Sequence, residues 1–506
     1  MANKDTSFFG HPAGVATLFA TEMWERFSYY GMRALLVLFL IAETTTGGFG
    51  LTQEEAFTIY GIFTGLVYVT PMIGGILADK LLGQRSTIYI GGLTMAIGQF
   101  MLAFSAMNGD NMDARMFWFY TGLGVLIIGN GFFKPNISTM VGDLYDNNDP
   151  RKDGGFTIFY MGINLGAGLS PFVAGYLGEQ VSWEYGYLAS GIGMLVGVIW
   201  FILHSEKTLG RIGLAPKVPA DVTRLNEKDW FKIIGFVVAI TLGVVGFMKG
   251  WSVLSESAQS IIPTVVGCLG GAYLLWAIIR GTETKEEWAR VAVIMVLAFF
   301  NIFFWVGFEQ AGTTFNIFAA DNTDRMIGGF EMPASWFQSI NAIFIVVLAP
   351  LFSIFWLKLD KFKLNPKTPF KFGWGMLLLS AGAAVMAVAD GISNGSGELI
   401  KVSPLWLTAV YLIFTMGELC ISPIGLSMVT KLAPHKLIST MMGVWMFSFA
   451  AGNVGASQMQ TLSATVEQAI GQPVNVFWFV SAITGVATIC LFLLGPWLSK
   501  MMKGIN

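Results

Sequence analysis

Apolar residues run through this chain in blocks of about twenty or more, the length needed to cross a bilayer core of about 30 Å as a helix. The blocks fall at 14–42, 54–78, 86–107, 115–139, 155–178 and 185–204. A polar linker follows, from Ser205 to Asp229. Two more apolar runs lie at 230–249 and 259–280, and a second charged link spans Thr282 to Arg290. The last six blocks are 291–319, 334–357, 370–390, 402–431, 438–466 and 474–499. The pattern predicts an all-α integral membrane protein with fourteen transmembrane helices. It divides as a six-helix bundle over 1–204, a linker with an inserted two-helix hairpin over 205–289, and a second six-helix bundle over 290–506.

Composition agrees with that division. Of 506 residues, 54% are hydrophobic and 12% charged, where soluble domains carry about 25% charged residues. The net charge of -2 offers no basic field for nucleic acid, and the expected surroundings are lipid. Cys268, Cys420 and Cys490 each fall in an apolar block, so they are expected as small buried residues, without a disulfide framework or a metal site. Met1 to Pro12 lack the apolar core of a cleavable leader, so internal helices are expected to do the targeting. Loop charges set the orientation. Lys80, Arg85, Arg151, Lys152, Lys207, Arg211, Lys217, Lys358, Lys361, Lys363, Lys367, Lys371, Lys431, Lys436, Lys500 and Lys503 fall on one side, against Arg115, Arg325 and Lys401 on the other. The positive-inside rule then places both termini in the cytoplasm.

The first apolar block breaks the pattern. Glu22-Met-Trp-Glu25-Arg26-Phe-Ser-Tyr29-Tyr30-Gly-Met-Arg33 puts four charges into twelve residues of a spanning helix. At 3.6 residues per turn, 22, 26, 29 and 33 share one face, with 25 and 30 beside it. A charge near the bilayer centre costs at least about 2.5–3.5 kcal/mol, so that face must meet protein or water. Elsewhere Lys134 sits in Gly-Asn-Gly-Phe-Phe-Lys134-Pro135-Asn136, Glu309 follows Trp305, and Glu418 stands in Thr-Met-Gly-Glu418-Leu-Cys-Ile-Ser422-Pro423. The polar residues Tyr68, Tyr160, Asn164, Gln310, Asn316, Asn341 and Asn453 also lie in spans. Arg26, Arg33 and Lys134 stand in the first half with Glu22 and Glu25. Glu309 and Glu418 stand in the second half, with no deep cation beside them. Two walls of opposite charge suit a substrate with a carboxylate at one end and an ammonium at the other, such as a short peptide. A carboxylate in a dry cavity with a movable cation nearby can also take up and release a proton. Plainer roles compete. Glu22 and Arg26 can be a helix-packing pair, Lys134 can snorkel to an interface, and Glu418 can be a packing acid. Tyr29, Tyr30 and Tyr68 can be belt residues, and Trp305 and Trp445 core filling.

Several motifs carry a resemblance. Gly75-Ile-Leu-Ala-Asp79-Lys80-Leu-Leu-Gly83-Gln-Arg85 resembles the loop signature of the major facilitator superfamily. Glu22-Met-Trp-Glu25-Arg26-Phe-Ser-Tyr29-Tyr30-Gly resembles the ExxER signature of the proton-dependent oligopeptide transporter (POT) family. Phe159-Tyr160-Met-Gly-Ile163-Asn164-Leu165-Gly166 is similar to that family's second signature. Phe-Glu309-Gln310-Ala-Gly, Gln338-Ser-Ile-Asn341 and the segment around Glu418 resemble further family segments, so the likeness covers essentially the whole chain.

The resemblance implies a major facilitator fold and a proton-coupled symporter for di- and tripeptides, working by alternating access, with protons as the coupling ion and no cofactor. It implies proton coupling through Glu22, Glu25, Arg26, Lys134 and Glu309. It implies a peptide carboxylate near Arg33 and Lys134, and a peptide ammonium near Asn164, Asn341 and Glu418, with Ser422 beside them. Tyr29, Tyr30 and Tyr68 would bind the peptide backbone, and Trp305, Phe315 and Trp445 would wall the side-chain pockets. Arg33 and Glu309 would form a gate. Ala follows Asn341 where many bacterial relatives have Pro, which implies a slightly different bend in that helix. The sequence leaves oligomeric state open. Three rivals stand against this expectation: the same fold moving another anion such as nitrate, a membrane-embedded enzyme, and a sensor or scaffold.

Overall fold

The computed structural model describes residues 6–107, 109, 111–146, 149, 151–214, 235, 243, 246, 274–395 and 398–502. Most of the expected hairpin helices at 230–249 and 259–280 therefore lie outside the described residues, as does Cys268. The chain divides into two compact units, Met1–Lys249 with Glu331–Ile343, and Gly250–Phe330 with Phe344–Asn506. The fold is all-α apart from one small hairpin, β1 (Met326–Ile327) and β2 (Phe330–Glu331), turned by Gly328 and Gly329 at positive φ.

The first unit contains α1 (Ala13–Ile41), α2 (Gln53–Val69), α3 (Pro71–Leu77), α4 (Gln84–Met107), α5 (Met112–Asp143), α6 (Lys152–Ser170) and α7 (Trp183–Leu209). The second contains α8 (Lys285–Phe308), α9 (Thr314–Asp321), most of α10 (Phe337–Lys361), α11 (Thr368–Asn394), α12 (Leu405–Leu432), α13 (Ile438–Ser457), α14 (Met459–Ile470) and α15 (Val476–Met501). Among the described residues, nine helical segments are long and apolar enough to cross a membrane. Three expected spans of the two bundles fall short for visible reasons, one of them 438–466, which is split into α13 and α14 at Gln458. The α1 helix carries Glu22, Glu25, Arg26 and Arg33, and the second span breaks at Thr70, where Pro71 starts a new helix. The expected span 291–319 also breaks: α8 ends in a tight turn at Glu309–Gly312 before α9 begins. Helix starts follow local chemistry. Thr52 and Glu55 exchange capping hydrogen bonds before α2, and Thr284 and Glu287 do so before α8.

Glycines set how closely the helices approach. Gly91 and Gly98 on α4 are seven residues apart, as are Gly122 and Gly129 on α5. A Cβ at Gly91 would stand 2.7 Å from the Gly129 carbonyl oxygen, and one at Gly98 would stand 2.9 Å from that of Gly122. The two helices therefore run backbone against backbone. In the second unit Gly375 and Gly417 bring α11 and α12 together in the same way, each 2.8 Å from the other's carbonyl oxygen by the same measure. Cys420 is buried on α12, but Cys490 is exposed on α15, which corrects the expectation that every cysteine fills a core. The expectation failed because an apolar helix facing lipid presents the same residues as one facing protein.

Arg115, expected as a loop charge, is 3% exposed. Its Nε donates to the Ser105 carbonyl at 3.0 Å and Nη2 to that of Gly48 at 3.0 Å. Nη2 also donates to the Gly47 carbonyl, and the guanidinium lies 4.7 Å from the centroid of the Phe49 ring. It thus ties the α1–α2 connection to the α4–α5 connection. Arg115→Ala leaves these carbonyls without their donor. Thermal unfolding in detergent is expected to show a loss of about 1–3 kcal/mol, partly recovered by Arg115→Lys.

Candidate functional site

The α1 helix is buried along most of its length, because neighbouring glycines let other helices close around it. A Cβ at Gly166 of α6 would stand 2.1 Å from the Met23 carbonyl oxygen, and Gly193 and Gly197 of α7 lie against Phe27 and Trp24. Its charged face is thereby held inside protein: Glu22 is 2% exposed, Glu25 0%, Arg26 3% and Arg33 8%.

These charges satisfy one another. Arg26 Nη2 donates to Glu25 Oε1 at 2.8 Å, and Arg26 Nε pairs with Glu25 Oε2 and lies 3.1 Å from Glu22 Oε1. The guanidinium carbon is 5.4 Å from the Tyr29 ring centroid and 5.9 Å from that of Tyr30. Arg33, two turns further on, donates from Nε to the Tyr60 hydroxyl at 2.6 Å and lies 5.7 Å from both the Tyr30 and Tyr60 ring centroids.

Helix α5 brings the next groups. Asn130 donates its amide to Glu25 Oε1 at 3.2 Å. One turn later, Lys134 Nζ stands 4.6 Å from the Tyr68 ring centroid, within electrostatic reach of Glu22, Glu25, Arg26 and Arg33. Lys134 is part-buried and belongs to this cluster, so the interfacial snorkelling role has no support here. Pro135 lies inside α5 and removes the backbone donor to the Gly131 carbonyl. Gly74 packs at that same carbonyl, where a Cβ would stand only 2.0 Å away. The local weakness in the ladder and the closest helix approach therefore coincide beside Lys134.

Asn164 is 6% exposed and donates to the Tyr160 carbonyl of its own helix at 2.9 Å. Asn341 is part-buried near the start of α10, in the segment that groups with the first unit.

In the second unit Glu309 is 1% exposed, at the break after α8. Gln310 secures this break. Its Nε2 donates to the carbonyls of Val306 at 2.9 Å and Ala456 at 3.1 Å, and its Oε1 accepts from Thr314 at 2.8 Å. Trp305 packs on Phe449 with ring centroids 4.6 Å apart, and Trp445 lies between Phe449 and Phe372. Gly425 makes room for Trp445, since a Cβ there would stand 2.2 Å from the indole. Glu418 is 9% exposed on α12, one turn before Ser422. Among the described residues, Ser422 Oγ, Trp305 Nε1 and Trp445 Nε1 are buried without a hydrogen-bond partner. Buried polar atoms left this way are atoms a polar ligand can satisfy. Phe315 lies deeper, packed among Tyr411, Phe414 and Phe477 at 1% exposure.

Within the first unit, Glu22, Glu25, Arg26, Tyr29 and Arg33 are buried together, with half-buried Tyr30, Lys134 and Tyr68 beside them. Trp305 and Trp445 converge on Phe449 in the second unit. Arg33 and Glu309 belong to different units. Two residues beyond those picked from sequence also belong to the first cluster, Asn130 and Tyr60. Asn130 carried a signal, one helical turn before Lys134 on the same face. Tyr60 carried none, since only the packing of α2 against α1 brings it to Arg33.

Buried, mutually paired charges inside the spans of a helical membrane protein mark a candidate path for ions or charged substrates. Comparison with known proteins agrees and narrows the class. The model of the POT family matches residues 85–476. The chain is 40% identical to the peptide transporter YePEPT of Yersinia enterocolitica over 89% of this chain and 88% of that one. It is 34% identical to a di-/tripeptide transporter of Lactococcus lactis, covering 96% and 94% respectively. Its fold superimposes with a TM-score of 0.83 on a crystal structure of a POT family transporter in complex with a thioalcohol-conjugated peptide, at 32% identity and 98% coverage of both chains. The chain belongs to the POT family. It is a multi-pass membrane transporter of the major facilitator type and not an enzyme.

The Arg26 cluster makes a stability prediction. Arg26→Leu strands two buried carboxylates and is expected to cost about 3–5 kcal/mol in thermal or denaturant unfolding. Adding Glu25→Gln to that variant is expected to restore part of the loss, and a double-mutant cycle measures how much.

Proposed function

We propose that this chain takes up di- and tripeptides together with protons by alternating access, in a cell inner membrane with both termini in the cytoplasm. Membership of the POT family and the peptide-transporter names of its relatives support the substrate class. The observation that carries the coupling is the buried cluster of Glu22, Glu25 and Arg26, with Lys134 within electrostatic reach. Two acids share one close cation, and a second cation stands by. When a peptide carboxylate draws Arg33 or Lys134 toward itself, the acids lose positive field and bind a proton more readily. A proton leaving them restores the field. That exchange links peptide occupancy to protonation with no cofactor; protons are the coupling ion.

In this reading the peptide is held in a wet cavity. Arg33 and Lys134 take the peptide carboxylate. Asn164, Asn341 and Glu418 take its ammonium, with Ser422 beside them. Tyr29, Tyr30 and Tyr68 hydrogen-bond the peptide backbone, and Trp305 and Trp445 wall the variable side chains. Arg33 and Glu309 act as a gate, and Glu309 takes part in proton transfer. Charge on the common ends and loose aromatic walls for the variable parts account for broad selectivity. Glu418 with the α1 acids speaks against a lone anion such as nitrate, which has no use for a carboxylate at the amine end. A sensor or scaffold would bind peptide without moving it.

Uptake of labelled dipeptide into proteoliposomes, with and without an inward proton gradient, tests the proposal. Gradient-driven uptake that tripeptide competes and nitrate does not is the expected result; binding without uptake overturns it. Glu22→Gln and Glu25→Gln are each expected to abolish gradient-driven uptake while peptide counterflow partly survives. Equal loss of both activities would make the acids structural. Glu418→Ala is expected to weaken ordinary dipeptides about tenfold or more, and N-acetylated dipeptides far less. An equal drop for both sinks the ammonium assignment.

A further inference from the structure

We propose that Asn130 is a positioning residue that commits Glu25 to Arg26 as a permanently charged pair and leaves Glu22 as the proton-exchanging acid. The inference rests on the proton-coupled reading above, and deepens it. The two acids lie on the same helix at almost the same depth, and both are buried. Their hydrogen bonding differs. Glu25 Oε1 accepts from Arg26 Nη2 at 2.8 Å and from Asn130 Nδ2 at 3.2 Å, and its Oε2 accepts from Arg26 Nε. Both carboxylate oxygens are therefore engaged by donors. Glu22 has one oxygen 3.1 Å from Arg26 Nε, while its Oε2 is buried with no hydrogen-bond partner among the described residues. A bare buried carboxylate oxygen is costly, and a proton there removes the charge.

Asn130 is suited to this task. It is 1% exposed, cannot titrate, and sits one turn from Lys134 on α5. Its amide reaches Glu25 from across the helix interface, so Glu25 is held from two helices and Glu22 from one. The charged and titratable groups bearing on the two acids and Arg26 are Tyr30 from α1 itself and Lys134 from α5, and Arg33 acts in turn on Lys134. A peptide that draws Lys134 away changes the field at Glu22 while Glu25 keeps its three donors.

The test reads protonation directly as well as transport. In reconstituted protein, infrared difference spectra across a pH step are expected to show a protonated-carboxyl band that Glu22→Gln removes and Glu309→Gln leaves in place. In Asn130→Ala a second band absent from the unmodified protein is expected, and adding Glu25→Gln should remove it. Loss of the original band in Glu25→Gln, with persistence in Glu22→Gln, overturns the assignment. In proteoliposomes Asn130→Ala is expected to displace the pH midpoint of gradient-driven uptake by about one unit, a tenfold change in proton affinity. Counterflow is expected to stay within about twofold of the unmodified protein. Asn130→Ser, which retains a donor, is expected to recover part of the displacement. An unchanged midpoint in Asn130→Ala, with counterflow intact, overturns the role of Asn130. If Asn130→Ala does not fold, the pair Asn130→Ser and Asn130→Gln decides: midpoints identical to the unmodified protein in both, and no second band, overturn it. The infrared arm needs no transport, so its failure is distinct from failure of the symport reading, in which the unmodified protein moves no peptide with protons.

Discussion

An ion inside a membrane protein must be answered by another ion or by donors and acceptors held within the fold, and this constraint governs the first unit. In α1, a spanning helix carries Glu22, Glu25, Arg26 and Arg33, all buried. Lipid cannot solvate them. The surrounding helices close in on α1 through glycines that leave space at Met23, Trp24 and Phe27. A loose fit would admit water along the whole helix and screen the charges from each other. A tight fit keeps their interactions strong, so that moving one charge is felt by the rest.

The same constraint explains where regular structure gives way. Pro71, Pro135 and Pro423 each interrupt a backbone ladder next to a candidate residue: Tyr68, Lys134 and Ser422. The turn at Glu309–Gly312 places an acid at a helix end, and Gln310 satisfies the freed carbonyl groups nearby. A continuous helix spends its backbone donors on itself. A broken one leaves polar groups that side chains or a ligand can use. The breaks therefore sit beside the same candidate residues as the buried charges do.

Arg115 and Arg26 show two ways of burying the same side chain. Arg115 is surrounded by backbone carbonyls and an aromatic ring, so its charge is spread over fixed dipoles. Arg26 faces two carboxylates. The first arrangement fastens two connections through neutral dipoles; the second sets charge against charge. The difference lies in whether the acceptor carries a formal charge.

Much of this was legible along the chain. Block lengths of apolar residues are set by bilayer thickness, so the spans could be counted from them, and four charges within one block marked α1 as a helix that lipid could not surround. The 22, 26, 29, 33 face follows from helical period alone. Tertiary structure alone decided which partner each charge takes. Asn130 reaches Glu25 and Tyr60 reaches Arg33 only because particular faces of α5 and α2 pack on α1, and α2 is more than twenty residues from Arg33 in sequence. The same holds for Cys490 at the exposed surface and Phe315 in the core, since an apolar residue does not record whether lipid or protein lies beside it. Periodicity is a local property of the chain and can be read from it; the pairing of side chains across helices depends on how backbones dock, and that is settled by packing.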